Sequence, residues 1–360
     1  MINKELNVIK KIFKHAIIST LIISFPSILQ AENDLKFKGD LRLRTQYETQ
    51  GEDTRLRERI RFRLGASKEL SEQTTVKFGF ATGSNDLRST NQTFDNTFET
   101  PDIRFDYAYI DQKLSNQLSL RAGKMKNPIW KPSDLLWDSD INPNGVSFQY
   151  KKAHYNITSA LLILEENVNS TNKDPIMAVI QPQIKWNLTP AIQIKNAIGL
   201  YLTQHVKGAS LTHTAETNTG ATTALPNEFA PIVLSAQADL TDQLGLELLR
   251  PFGELVINNN ADSNNRGGLI GLTVGNKKVK HFGSWQSKII YRYLEADAWL
   301  DMLPDSDAYG GATNTKGLEL ILKYGLSKNI SVVFDYYMMD VIDGTSNLQS
   351  LAQLDFNVKF

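Results

Sequence analysis

The residues richest in possible chemistry sit in one short run, Arg55 to Ala66, RLRERIRFRLGA. Arg55, Arg57, Arg59, Arg61 and Arg63 alternate with Leu56, Glu58, Ile60, Phe62, Leu64 and Ala66. A period of two is that of a β-strand, so one face is an arginine wall and the other is mainly apolar. A helix would scatter the arginines around its axis and leave no apolar stripe. Guanidiniums in a row repel one another and need water, anions or facing carboxylates. Carboxylates are on offer in residues 127–145, NPIWKPSDLLWDSDINPNG, where Asp134, Asp138 and Asp140 stand among Trp130, Leu135, Leu136, Trp137 and Ile141. Opposed charges about 10 Å apart across a wet passage would set up a transverse field that favours polar solutes over apolar ones. That chemistry is electrostatic selection. Plainer readings compete with it: the arginines pair locally or only solvate a wall, the aspartates form Asx turns or caps, and the tryptophans anchor a loop rather than stack a solute.

Catalysis has little support. His15, His154, His205, His213 and His281 are scattered, and no metal-ligand spacing or nucleophile elbow is present. No enzyme activity, metal or cofactor is called for. Tyr107, Tyr109, Tyr201, Tyr291, Tyr293, Tyr336 and Tyr337 read as girdle or wall residues.

The elements that must position these residues are strands. Leu35, Phe37, Leu41, Leu43 and Tyr47 alternate with polar residues that include Arg42 and Arg44. A third strand carries Val76, Phe78 and Phe80 on one face. A fourth sets Ile103, Phe105, Tyr107 and Tyr109 opposite Arg104, Asp106 and Ala108. Amphipathic strands of about 10 residues are long enough to cross a bilayer at a tilt.

Short turns recur as Leu-Ser or Leu-Thr pairs at Leu70, Leu114, Leu188, Leu240 and Leu326. Lys151 to Asn156 and Asn276 to Gly283 fill the two wider gaps, giving seven turns at a mean spacing of about 43 residues. Between them run long polar connections, clearest at Gly83 to Pro101, Gln204 to Asn227, Asn258 to Arg266 and Asp301 to Asn314. Seven short turns and eight long loops make sixteen strands, with fourteen or eighteen as alternatives. Lipid cannot satisfy an open sheet edge, so the fold class is an all-β, closed antiparallel transmembrane barrel with short periplasmic turns and long extracellular loops.

The N-terminus reads as a secretory signal, with Lys4, Lys10, Lys11 and Lys14 ahead of the apolar Ala16 to Phe25. Cleavage is expected after Ala31, which makes residues 1–31 a signal and 32–360 the barrel; an uncleaved anchor is the alternative. Removing that segment takes four lysines and one glutamate from 39 basic and 39 acidic residues and leaves a net charge of −3. This balance argues against a nucleic-acid partner. The chain has no cysteine, so neither a disulfide nor a lipid anchor on cysteine contributes. Its end, Ser350 to Phe360, alternates Ala352, Leu354, Phe356, Val358 and Phe360 with polar residues, so Phe360 is a candidate assembly signal read by the barrel assembly machinery.

Arg121 to Tyr150, the Gly39-Asp40-Leu41-Arg42 start and the arginine-rich second strand resemble the bacterial "putative porin" family. The resemblance is strongest over about residues 35–155 and implies an outer-membrane channel of no particular solute. In 16-stranded porins the third long loop folds into the barrel, and here that loop is 127–145. The implied pore lining is Arg42, Arg44, Arg57, Arg59, Arg61, Arg63 and Arg104, with Asp134, Asp138 and Asp140 opposite. The expected function is passive diffusion of small hydrophilic solutes. The alternatives are an anion- or solute-selective channel and a non-conducting structural or adhesive barrel. The resemblance also implies outer-membrane lipid and lipopolysaccharide as surroundings and a homotrimer as the assembly.

Overall fold

The computed structural model describes residues 35–98, 100–167 and 173–360. The expected signal segment, residues 1–31, lies outside the described residues. Alternating sequence becomes a single antiparallel sheet: β1 (Lys36–Gln50), β2 (Asp53–Glu69), β3 (Thr74–Thr82), the two-residue β4 (Gln92–Thr93), β5 (Ile103–Lys113), β6 (Leu118–Lys124), β7 (Asn144–Lys152), β8 (Tyr155–Ile163) and β9 (Ile176–Thr189). The second half comprises β10 (Ile192–Gln204), β11 (Pro231–Gln243), β12 (Leu246–Asn258), β13 (Arg266–Gly275), β14 (Trp285–Leu294), β15 (Thr315–Gly325), β16 (Ile330–Val341) and β17 (Gln349–Lys359). Because β1 pairs with both β2 and β17, the sheet closes on itself. The short β4 only patches the upper edge of β2, at Arg59↔Thr93 and Ile60↔Gln92, so the wall has sixteen strands. Among the described residues no helix is long and apolar enough to cross a membrane.

The seven turns are at residues 70–73, 114–117, 153–154, 190–191, 244–245, 276–284 and 326–329; five fall where the sequence repeat puts them, while Leu188-Thr189 and Leu240-Thr241 lie inside β9 and β11 and their turns follow directly after. Leu70 N–H closes the first of these onto Thr74 O at 2.8 Å, and Leu114 and Leu326 repeat the bond with Leu118 and Ile330. One expectation fails. The first outer connection is not long but a two-residue turn, Gly51 and Glu52, with Gly51 at φ +58°. The polar Glu48–Thr54 stretch, between the two strands as read, instead lengthens β1 and β2 to 15 and 17 residues, apart from the turn at Gly51 and Glu52.

The closing seam is built from the chain's two ends. Phe360 exchanges backbone hydrogen bonds with Gly39 at 2.8 and 3.1 Å, and its ring stacks on Phe62 at 6.1 Å. The ring lies where a Gly39 side chain would be, so glycine there makes room for the terminal aromatic.

A β-bulge corrects the reading of the fourth long strand. Gly79 pairs with Tyr107 but Phe80 pairs with Phe105, which leaves Asp106 unpaired. The extra residue reverses the parity, so Asp106, Tyr107 and Tyr109 all point inward and are buried, while Phe105 faces out. Gly65 and Gly79 clear the space that the Tyr107 ring occupies.

Outside, the wall bares apolar side chains such as Leu43, Ile198, Leu255, Ile270 and Leu354, as a lipid-facing surface does. Inside is a second apolar cluster, contributed largely by loops. Leu135, Leu136, Trp137 and Ile141 of the third loop meet Val206, Leu225 and Phe229 of the fifth and Trp299, Leu300, Met302 and Leu303 of the seventh.

Candidate functional site: the loop-lined lumen

The arginine wall forms as the alternation requires. Cross-strand register sets Arg42 against Arg61, Arg44 against Arg59 and Gln46 against Arg57 on the inner face of β1 and β2. Like charges directly opposite destabilise a sheet unless neutralised. Here most are. Arg44 makes a two-pronged contact with Asp355 of β17 at 2.6 and 2.9 Å and reaches Asp307 of the seventh loop at 3.1 Å. Arg42 donates to Asp355 at 3.2 Å and to Asn91 at 2.7 Å. Asp40 accepts from both Arg61 and Arg63 at 2.9 Å, and Arg57 pairs with Glu48 at 2.7 Å. Arg104 stands apart from this wall and ties down the second loop through the carbonyls of Ser84, Asp86 and Ser89.

The third loop, residues 125–143, crosses the lumen, stapled at each step. Trp130 N–H and carbonyl bond the Gln181 side chain of β9 at 2.9 and 2.8 Å. Lys195 of β10 lies 4.1 Å from the Trp130 ring centroid. Trp137 is 2% exposed and meets Trp299 edge-on at 6.0 Å, and Trp299 meets Tyr201 at 4.9 Å. Both tryptophans are therefore loop anchors in this arrangement.

The three aspartates of the loop do not act as one row. Asp140 alone joins the arginine wall, at 3.0 Å from Arg63, and also accepts from Thr90 N–H and hydroxyl at 3.0 and 2.8 Å. Burial pushes its carboxyl up, but Arg61 and Arg63 more than offset this and hold it below the ordinary range. Asp134 points to the other side and pairs with Arg292 of β14 at 3.2 Å. Asp138 meets no guanidinium: its oxygens accept Asp140 N–H at 2.8 Å, as an Asx turn does, and Ser306 N–H at 2.9 Å. Burial, with Asp140 beside it, pushes the Asp138 carboxyl up to about 7.

Two expectations change. The separation of about 10 Å between arginines and loop carboxylates is instead direct contact at Arg63–Asp140 and Arg44–Asp307. The seventh loop, residues 295–314, read as a polar surface loop, is instead packed against the third in the apolar cluster inside the barrel. Its Asp307 is held below the ordinary range by Arg44 and Arg42 against the upward push of burial. Asp301 accepts Thr217 and Asn218 N–H at 2.7 and 3.1 Å, locking the seventh loop to the fifth. Leu303 O accepts Asp138 N–H at 2.7 Å and locks it to the third. The missed signal was the run Trp299-Leu300, apolar in the way the third loop is, just before the stretch taken as the loop.

Asp134, Asp305 and Glu319 bring carboxylate oxygens within 4.8 Å of one another, the grouping among the described residues that a cation could use. Arg292 already contacts all three, so the protein supplies its own cation. Burial and Asp134 push the Asp305 carboxyl well up.

The periplasmic half of the lumen is lined differently. Lys185 and Lys195 face each other across β9 and β10. Lys288 shares the inner face of β14 with Arg292, and Lys323 that of β15 with Glu319. None of the four has an ion-pair partner among the described residues, whereas Asp239 on β11 and Asp111 on β5 are taken by Arg250 and by Lys77 with Arg121. Asp335 of β16 is an inward carboxylate without an ion pair among the described residues. His154 and His281 lie in short turns, away from the constriction.

Comparison with solved structures places the architecture. Pseudomonas putida OprB, in its high-pH structure, matches with a TM-score of 0.61 at 11% identity, over 91% of this chain and 94% of that one. A loop L8 deletion mutant of Vibrio cholerae OmpT, an outer membrane protein, matches with a TM-score of 0.53 at 11% identity, over 92% and 100%. A triple mutant of the Rhodopseudomonas blastica porin matches with a TM-score of 0.52 at 11% identity, over 91% and 100%. At such identities the likeness shows the fold. No curated protein matches the sequence. A family model described as "putative porin" matches residues 30–231 and 221–360, nearly the whole chain, and the chain belongs to that family of outer-membrane β-barrel channels.

Proposed function

We propose that this porin passes small hydrophilic solutes with a preference for anions. The observation that carries the reading is the set of unpaired inward lysines, Lys185, Lys195, Lys288 and Lys323, in the periplasmic half of the lumen. The arginine ladder, which first suggested anion selection, supports it less, because Asp40, Glu48, Asp140, Asp307 and Asp355 neutralise most of it. Permeation of this kind is passive and needs neither catalysis nor a cofactor. The lysines raise the local concentration of anions in a wet vestibule and repel cations, over a range set by the Debye length. Single-channel current of the purified protein in a potassium chloride gradient tests the reading. A reversal potential of the sign given by chloride permeation is expected. The cation sign would overturn the anion preference, and no current at all would favour the structural barrel.

A homotrimer is part of the same proposal. Thr45 donates to Glu58 at 2.9 Å on the outer face of β1 and β2, flanked by Leu43, Tyr47, Leu56 and Ile60. A carboxylate bared to lipid at that depth is costly, and contact with another copy of the chain would shelter it. Chemical cross-linking in membranes should then give trimers that Glu58→Arg diminishes; undiminished trimers in that variant would count against contact through this face. Lipopolysaccharide around the wall and recognition of the last strand by the barrel assembly machinery complete the proposed partners.

A further inference from the structure

Above the Arg44–Asp307 contact, on the extracellular side, a cavity of about 230 Å³ opens between the upper strands β1, β2 and β17, the second loop and the seventh loop. Arg57, Arg59 and Arg88 all line it, but they are not equivalent. Arg57 is spent on Glu48. Arg59, from β2, has no carboxylate partner among the described residues; its contacts are Gln46 Oε1 at 3.1 Å, Asn91 O at 3.3 Å and Ser89 Oγ at 3.4 Å. Arg88, from the second loop, also lacks an ion pair and gives only its Nη1, to the carbonyls of Asp301 at 3.1 Å and Gly311 at 3.2 Å. The Nε of each has no acceptor among the described residues. Arg42, Arg44, Arg57, Arg61 and Arg63 on the inner face of β1 and β2 each have a carboxylate. Two under-used guanidiniums from separate elements, converging on one aqueous cavity, are what an oxyanion requires.

The rest of the lining narrows the ligand. Asp86 is in the same wall and uses Oδ1 to accept Arg88 N–H at 2.9 Å, with no ion pair among the described residues. Ser89 and Ser306 add hydroxyls. The unpaired charge is thus two guanidiniums against one carboxylate, a surplus of one positive charge. We infer that this cavity binds a small hydroxycarboxylate: its carboxylate is held between Arg59 and Arg88, and its hydroxyl donates to Asp86. A monoanion balances the surplus charge, and the volume admits a molecule of up to about fifteen non-hydrogen atoms at roughly one water volume for every two such atoms. The inference deepens the anion preference proposed above by naming the solute class and the place where it pauses before the constriction.

Three probes of one size separate the possibilities: lactate with a hydroxyl, alanine with an ammonium and propionate with neither, at the carbon next to the carboxylate. Each is added to the extracellular side of the full-length channel while chloride current is recorded. Lactate is expected to reduce the current at a concentration at least fivefold below that needed with propionate or alanine. Arg88→Gln should raise the half-blocking concentration of lactate at least tenfold. Equal block by lactate and propionate overturns the inference, as does tighter block by alanine. An unchanged half-blocking concentration in Arg88→Gln overturns it too. Calorimetric titration of lactate into detergent-solubilised wild type, expected to give one site per chain, is independent of conductance. A cation-selective channel that still binds lactate would refute the anion preference and leave the site standing, whereas an anion-selective channel with no lactate binding refutes the site alone.

Discussion

Exchanging Lys185 and Lys195 for glutamate puts a number on the lysine vestibule. The two side chains are cross-strand neighbours on the lumen face of β9 and β10, and neither is ion-paired among the described residues. A unit charge about 8 Å from a passing ion is worth about 0.5 kcal/mol in water, and screening at 0.1 M salt cuts this to about 0.2 kcal/mol. Each exchange reverses a charge, so the pair alters the vestibule by about four units, or about 0.9 kcal/mol for each ion, of opposite sign for cation and anion. The potassium to chloride permeability ratio should therefore rise about 20-fold at 0.1 M and less than about twofold at 1 M, where the Debye length is about 3 Å. The assay is the reversal potential across a planar bilayer in salt gradients centred on those concentrations. Lys195→Glu also removes the cation from the Trp130 ring, a loss of about 0.5–1 kcal/mol to the third loop. Lys185→Glu alone, exposed and without that contact, is the control and should give half the shift. If the double exchange moves the permeability ratio less than twofold at the lower salt, the lysines do not govern ion choice.

Three further outcomes are expected. Trp137→Ala should remove about 3–5 kcal/mol of docking between the third and seventh loops while leaving the strand ladder formed. A larger, noisier single-channel conductance is the readout, and a wild-type current would place the narrowing elsewhere. Asp138 carries a carboxyl raised from 3.8 to about 7 by burial and by Asp140, so its contribution is complete below pH 3.8, declines from there to about 7 and is absent above; thermal stability should fall as pH rises through that window, and the Asp138→Asn variant should show a flatter profile, an identical one removing Asp138 as the source. Phe360→Asp should lose the stack on Phe62 and lower the heat-modifiable, folded protein in the outer membrane, whereas normal yield would withdraw the assembly role.

Much of the barrel was legible because lipid and lumen impose opposite demands on successive residues. A strand such as Arg55 to Ala66 can satisfy both only by strict alternation, and Leu-Ser pairs mark three of the hairpin reversals, at Leu70, Leu114 and Leu326. The bulge at Asp106 was not legible, since one inserted residue changes parity without changing composition; Tyr107 and Tyr109 were placed on the wrong face for that reason. The length of β1 and β2 was hidden by polar residues that belong to strands rising above the bilayer, where nothing requires an apolar face. At the constriction, the third loop announced itself through two tryptophans. The seventh did not, because its apolar pair, Trp299 and Leu300, lies just ahead of the polar stretch from Asp301 to Asn314 that reads as the loop. The pairing of Asp140 with Arg63 but Asp134 with Arg292 depends on where a crossing loop lands, which no local pattern encodes.

Arg44 and Asp355 sit 311 positions apart in the chain, yet they make the tight pair across the β1–β17 seam. While the chain is emerging, Arg44 has no such counter-charge; the wall that will desolvate it is complete only when the last strand arrives. The long wait is a kinetic matter. Loop-closure entropy must be met before any reward from the seam is collected, so closure is slow and late compared with hairpin formation. A nascent barrel therefore carries its costliest bare charge at its leading edge until the moment of sealing. That keeps the edge wetted and poorly suited to premature pairing with another open sheet, a safeguard that acts in time rather than in the finished shape.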